Sequence, residues 1–181
     1  MERFALLTLF GRDRPGIVAR ISRVLYEIGC NIEDSSMTRL RGEFTIMLIL
    51  RFPVGCQCDR LQAELEETVQ EMDLFCHLRE LSSEDCRMTS NEENEEGCVI
   101  HVMGADKPGI VYRVTRLLQE EGGNVTDLRT QVVGSPQRPL YAMLIEAGLQ
   151  GSLTSLQEHM SVLAKELGVE ISVRSMDLFT L

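Results

Sequence analysis

The chain has 181 residues, 44% of them hydrophobic, 25% charged and 5% aromatic, a balance that excludes disordered, collagen-like and fibrous classes and permits a buried core. Eighteen Lys+Arg against 28 Asp+Glu leave a formal charge of −10, which repels a phosphate backbone and an anionic membrane surface alike. No stretch reaches the ~18 to 20 consecutive apolar residues of a bilayer span, and Met1–Glu2–Arg3 leads into an apolar run, Phe4–Phe10, too short for a signal peptide. The expectation is a cytoplasmic protein with no membrane partner. Six cysteines (Cys30, Cys56, Cys58, Cys76, Cys86, Cys98) read as free thiols, because nothing else suggests an oxidising compartment. Cys56–Gln57–Cys58 lacks the two-residue gap of a zinc knuckle, and no second pair completes a metal site.

Phe4–Phe10 is rich in strand formers and leads into Gly11–Arg12–Asp13–Arg14–Pro15–Gly16. From Pro15 to Ile28 apolar residues recur at Ile17, Ile21, Val24 and Ile28, a single helical stripe closed by Gly29. Asn31–Leu40 and Glu43–Phe52 flank Arg41–Gly42 as a predicted hairpin. In the second of these strands Phe44, Ile46, Leu48 and Leu50 alternate with Thr45, Met47 and Ile49, which predicts a strand apolar on both faces, inside a sheet. A helix over Asp59–Met72 and a last strand over Leu74–Leu81 complete the order βαββαβ.

Ser82–Glu96 breaks this order: one arginine faces six acids without apolar periodicity, the pattern of a solvated linker or of an acidic docking segment. Beyond it the series starts again. Residues 104–127 align without gaps on residues 11–34, with 13 of 24 positions identical, so the chain is a duplication. Cys98–Met103 reads as a strand, Pro108–Glu121 as a helix, Asn124–Val133 and Leu140–Ala147 as a hairpin around Gly134–Pro139. Ser152–Leu167 reads as a helix with Ser152 as N-cap, and Val169–Leu178 as the last strand. The prediction is an α+β protein of two ferredoxin-like βαββαβ domains, 1–81 and 97–181, joined by the linker 82–96, each an antiparallel sheet with both helices on one face.

The repeated turn joins a strand end to a helix start, where unpaired N–H groups and the helix dipole favour a carboxylate. Gly16 and Gly109 have no side chain to obstruct a ligand, Asp13 and Asp106 could hold an ammonium group, and Asn31 and Asn124 offer both donors and an acceptor. The same residues also suit purely structural roles: Asp as a helix cap, Gly for close packing, Asn for a left-handed turn.

Strand, Asp-Arg/Lys-Pro-Gly-Ile-Val, helix, Gly-x-Asn-Ile/Val, strand resembles the ACT domain, a small regulatory module that binds amino acids. Two such units with little else resemble the glycine cleavage system transcriptional repressor family. The resemblance implies an effector between the first turn of one unit and the edge strand of its neighbour, with Asp13, Gly16, Ile17 and Asn31 as the ligand-binding residues of the first copy and Asp106, Gly109, Ile110 and Asn124 as those of the second. It implies a small amino acid, glycine or serine first, and a protein partner such as a transcription regulator or metabolic enzyme. Side-by-side association of the domains through their first helices and the Asn31–Leu40 and Asn124–Val133 edge strands, within the chain or between chains as a homo-oligomer, is expected as well. Gly123 in place of Cys30, and Ala105 in place of Arg12, make the two copies unequal.

The residues argue against catalysis. His77, His101 and His159 fall on different elements without repeat equivalents, and no nucleophile elbow, metalloprotease helix or phosphate loop is present. No cofactor or metal is expected. Direct DNA contact is not expected either, since residues 1–81, 82–96 and 97–181 carry −3, −5 and −2. The counterargument is local, a cluster of Arg12, Arg14, Arg20, Arg23, Arg39 and Arg41 in the first copy. Arg20, Arg23, Arg113 and Arg116 read as solvated helix faces with i,i+4 ion pairs or as a docking surface. The rival to effector binding is a scaffold whose edge strands pair without a ligand.

Overall fold

A computed structural model describes residues 3–55, 58–82, 96–135 and 138–176. The expected acidic spacer, apart from its two end residues, lies outside the described residues, as do Cys56 and Cys86. The chain divides into two compact units, Met1–Ser90 and Asn91–Leu181.

The first unit runs β1 (Phe4–Arg12), α1 (Ile17–Ile28), β2 (Asn31–Leu40), β3 (Glu43–Arg51), α2 (Cys58–Glu71), β4 (Leu74–Leu81). Its strands lie in the order β2-β3-β1-β4, all antiparallel. The second unit runs β5 (Glu96–Gly104), α3 (Ile110–Glu120), β6 (Gly123–Ser135), β7 (Arg138–Leu149), α4 (Leu153–Leu167), β8 (Val169–Ser175), in the order β6-β7-β5-β8. Each is the expected ferredoxin-like α+β sandwich.

The period-2 and period-3.6 patterns meet in one core per unit. Ala5, Leu7 and Leu9 of β1 and Phe44, Ile46, Leu48 and Leu50 of β3 pack with Ile17, Ile21, Val24 and Leu25 of α1 and with Leu61 and Leu65 of α2. Ile100, Val102, Met143, Ile145, Val114, Leu118, Leu156 and Met160 do the same in the second unit. Both helices of each unit therefore cover one sheet face. β3 lies inside the sheet, as expected from its two apolar faces, and Met47 on the face away from the helices is 45% exposed, beside Phe10 at 46% and Phe75 at 65%. The last two stack at 5.0 Å.

Helices start two residues later than the proline pattern suggests, because Gly16 and Gly109 take the N-cap position with φ of 92° and 93° and no capping side chain. The alternative in which Asp13 and Asp106 cap these helices is thereby removed. Gly29 and Ser152 cap α1 and α4 as expected, the Ser152 hydroxyl accepting from the Ser155 N–H. The hairpin expected to loop over Gly134–Pro139 instead stays paired as far as Ser135 and Arg138. Cys76 and Cys98 are free thiols. Burial pushes the thiols of Cys76 and Cys98 up, Glu96 adding to the effect at Cys98.

Candidate functional site

The turn after β1 is fixed by close packing at its start and by openness at its end. A Cβ on Gly11 would lie 2.9 Å from the Asp73 carbonyl oxygen, and one on Gly104 would lie 2.6 Å from a Val169 methyl, so only glycine lets the first and last strands approach here. A Cβ on Gly16 or Gly109 would meet nothing within 4 Å. The left-handed glycine and the free first-turn amides of the helix thus face open space. In the first unit this space is a depression of about 440 Å³ lined by Asp13, Arg14, Gly16, Ile17, Met37 and Phe44 among others. Ile17 and Ile110 are each 2% exposed. Their side chains belong to the core, and only their backbone can meet a ligand.

The basic residue of the motif is structural in both copies. Arg14 pairs with Asp73 at 3.7 Å, and the Lys107 Nζ donates to the Leu167 carbonyl at 3.0 Å. Each ties the first turn to the end of the unit's second helix. Asp13 is clamped differently: its N–H donates to the Gly42 carbonyl at 2.8 Å, and its carboxylate meets the Arg39 guanidinium at 2.6 Å. Arg39 was not among the sequence-derived site residues, since its approach depends on the β2–β3 hairpin.

The asparagines are elsewhere. Asn31 lies opposite Arg51, at the Phe4 end of the sheet, whereas the turn follows Arg12, opposite Glu43. Eight residues of β3 separate the two levels, roughly 26 Å at ~3.3 Å per residue. Asn124, opposite Gly148, and the turn following Gly104, opposite Tyr141, are placed in the same way. Within a unit, then, Asp13, Gly16 and Ile17 are brought together and Asn31 is not; the same holds for Asp106, Gly109 and Ile110 against Asn124. The Asn31 amide donates to Glu33 Oε1 at 2.7 Å, and Arg51 Nε donates to the same oxygen at 2.6 Å. These two bonds, Arg51's first, hold the Glu33 carboxyl below its ordinary range.

The arginine-bearing helix faces carry the expected i,i+4 pairs, Arg23–Glu27 at 3.6 Å and Arg116–Glu120 at 2.7 Å. They also carry a pair that spacing could not reveal. Arg20 reaches Glu71 on α2 at 2.5 Å, and Arg113 reaches Glu166 on α4, one helix–helix tie per unit. Of the six arginines weighed as a basic patch, Arg14, Arg20, Arg23 and Arg39 are thus paired with carboxylates of their own unit. A depression of about 580 Å³ between α3 and α4 is lined by Tyr112, Arg113, Arg116, Glu121, His159 and Glu166 among others. Inside it Glu121 accepts from the Ser155 hydroxyl at 2.7 Å and sits 2.6 Å from His159 Nδ1, and both contacts, Ser155's first, lower its pKa. Among the described residues no cluster of three or more His, Cys, Asp or Glu could hold a metal ion, and no helix is long and apolar enough to cross a membrane.

Comparison with known proteins matches this geometry to a family. The ACT domain profile fits residues 3–79 and 96–174, nearly the whole of both units. The glycine cleavage system transcriptional repressor of Escherichia coli (strain K12) is 26% identical over 176 residues, covering 95% of this chain and 90% of the relative. A UPF0237 protein of Methanopyrus kandleri is 44% identical over 69 residues, 38% of this chain and 77% of its own. Among solved structures, an unknown protein from Galdieria sulphuraria superposes with a TM-score of 0.82 at 24% identity, covering 97% of this chain and 99% of that one. A protein provisionally described as a glycine cleavage system transcriptional repressor superposes with a TM-score of 0.66 at 23% identity, covering 97% and 98%. At these identities the two superpositions speak for the fold.

Proposed function

Because the chain belongs to the ACT domain family, we propose that it is a non-catalytic regulatory protein that binds a small amino acid, glycine or serine before larger ones, and passes the signal to a partner protein. One observation carries this reading: in both copies a left-handed glycine opens the helix start into free space, next to an aspartate. Exposed amides suit the effector carboxylate and the aspartate suits its ammonium. Turn and asparagine lie at opposite ends of a unit's sheet, so one small effector does not touch both within a unit.

The experiment is a thermal-shift screen of the full chain against the common amino acids, followed by calorimetry on those that respond. An effector at ~100 times its dissociation constant adds ~2.7 kcal/mol to the stability of the unit that binds it. No shift and no heat with any amino acid would overturn the reading.

A second reading, a scaffold that pairs without ligand, is favoured by β2, in which all ten residues are exposed. An edge of this length is a template for another strand. Self-association that is unchanged by every amino acid would decide for it. The negative charge of both units and the internal pairing of Arg14, Arg20, Arg23 and Arg39 support action through a protein partner and not through DNA. Salt-sensitive binding of the isolated protein to duplex DNA in a low-salt band shift would contradict that.

A further inference from the structure

Resting on the reading that the repeated turn takes an amino-acid effector, the structure assigns recognition of the effector's ammonium group to the turn of the second unit, the aspartate of the first turn being occupied by its own unit's arginine. Asp13 is held by Arg39 at 2.6 Å. Asn31 donates to Glu33, which Arg51 holds at 2.6 Å. An arriving ammonium must therefore displace a guanidinium already in contact with Asp13, and an arriving carboxylate meets an amide already committed.

The second unit lacks all three occupants. At the repeat offset, Arg39 becomes Val132 and Glu33 becomes Thr126. By strand register, Arg51 opposite Asn31 becomes Gly148 opposite Asn124. None of the replacements carries a charge. The nearest cation of the turn, Lys107, is engaged with the Leu167 carbonyl, and among the described residues no ion pair is made by Asp106. An ammonium at Asp106 therefore meets no competing cation among the described residues.

The floor beneath the two turns differs in the same sense. Opposite Gly11 stands Phe44, and opposite Gly104 stands Tyr141; Met37 corresponds to Thr130. Tyr141 is 8% exposed, and its phenol is pushed up first by burial and then by the charge of Asp106, with a Thr130 hydrogen bond acting against both. The second turn therefore presents a free carboxylate over a polar floor, and the first a neutralised carboxylate over an apolar one. A small zwitterion, with a hydroxyl tolerated, fits the second.

The test uses the full-length protein with glycine and L-serine as probes in calorimetry, comparing wild type with Asp13→Asn, Asp106→Asn and Val132→Arg. Val132 is 52% exposed, so an arginine there leaves the core intact while supplying Asp106 with the partner that Asp13 already has. The expected result is a loss of at least tenfold in affinity for Asp106→Asn and for Val132→Arg, and a change under twofold for Asp13→Asn, with all three melting like wild type without ligand. Loss on Asp13→Asn, or retention on both Asp106→Asn and Val132→Arg, would overturn the assignment while leaving the effector reading in place. A wild type that binds neither these probes nor any other amino acid would overturn both.

Discussion

Replacing Gly109 and Gly104 separately by alanine distinguishes openness from close packing within one turn. Gly109 has φ near 93° and nothing within 4 Å of a new Cβ, so Gly109→Ala incurs only left-handed strain, ~1 to 2 kcal/mol, of which ~0.4 to 1 kcal/mol is offset by a stiffer unfolded chain. The net is about 1 kcal/mol. At Gly104 the new Cβ would stand 2.6 Å from Val169 Cγ1, 2.9 Å from its Cβ and 3.1 Å from its Cα. The methyl can rotate away but the backbone of β8 cannot, so Gly104→Ala overpacks the joint at ~2 to 3 kcal/mol. With a urea dependence of ~2 kcal/mol per molar, the midpoint of the affected unit falls by about 0.5 M for Gly109→Ala and by about 1 to 1.5 M for Gly104→Ala. Below the transition Gly109→Ala loses its effector response, because the methyl occupies the approach to the helix amides, and Gly104→Ala keeps it. Gly109→Asn should recover part of the stability, as asparagine tolerates the left-handed region, without recovering binding. A Gly109→Ala midpoint lower than that of Gly104→Ala, or an unaltered effector response in it, would refute the reasoning.

Other consequences follow from packing and charge. Leu7→Ala and Ile100→Ala, at positions 0% exposed, should each cost ~2 to 5 kcal/mol in urea unfolding. Arg20→Ala and Arg113→Ala, at half-exposed ion pairs, should each cost under ~1 kcal/mol, with less effect at high salt. Glu121 has a lowered pKa, so its contribution to stability is present above the ordinary carboxylate value of 4.5 and is lost as pH falls through its lower folded value. Glu121→Gln should therefore flatten the acid limb of the second unit's melting curve while changing its slope little near neutrality. The Cys98 thiol, fully buried and raised in pKa, should resist alkylation in the native protein and react once urea unfolds the second unit.

The order of elements was legible in the sequence because two independent periods recur with the same punctuation: helical stripes at Ile17, Ile21, Val24 and at Ile110, Val114, Leu117, and alternation at Phe44, Ile46, Leu48, Leu50. Chain polarity was the information left unused. β1 and β2 are joined by one helix, so a residue ending β1 and a residue starting β2 lie at opposite ends of a sheet; Asp13 and Asn31 could have been separated on that ground alone. Arg39 was not legible, since its contact with Asp13 is set by the register of β2 on β3, which shifts between Ile32 and Asp34. A one-residue change of register would turn the arginine to the other face. The exposed aromatic face at Phe10 and Phe75 was hidden for a different reason. Alternation shows that two faces are apolar and does not show which of them the helices cover.

Comparing the two copies separates residues that build the fold from residues free to carry chemistry. The tie from the turn to the end of the second helix is made twice with different atoms, a guanidinium to the Asp73 carboxylate and an ammonium to the Leu167 carbonyl. The tie between helices is made twice with the same pair of residue types. Gly11 and Gly104 each admit the first residue of the last strand. Contacts rebuilt in both copies, even from unlike side chains, belong to the fold, and they account for the first glycine and the basic residue of the turn. What the copies do not share lies on the edge strand and beneath the turn: Arg39 against Val132, Glu33 against Thr126, Phe44 against Tyr141. None of these is needed to close the sheet, as the same topology forms with either set. Folding therefore leaves these positions undetermined. The aspartates, identical in both copies, differ in chemistry only through these neighbours.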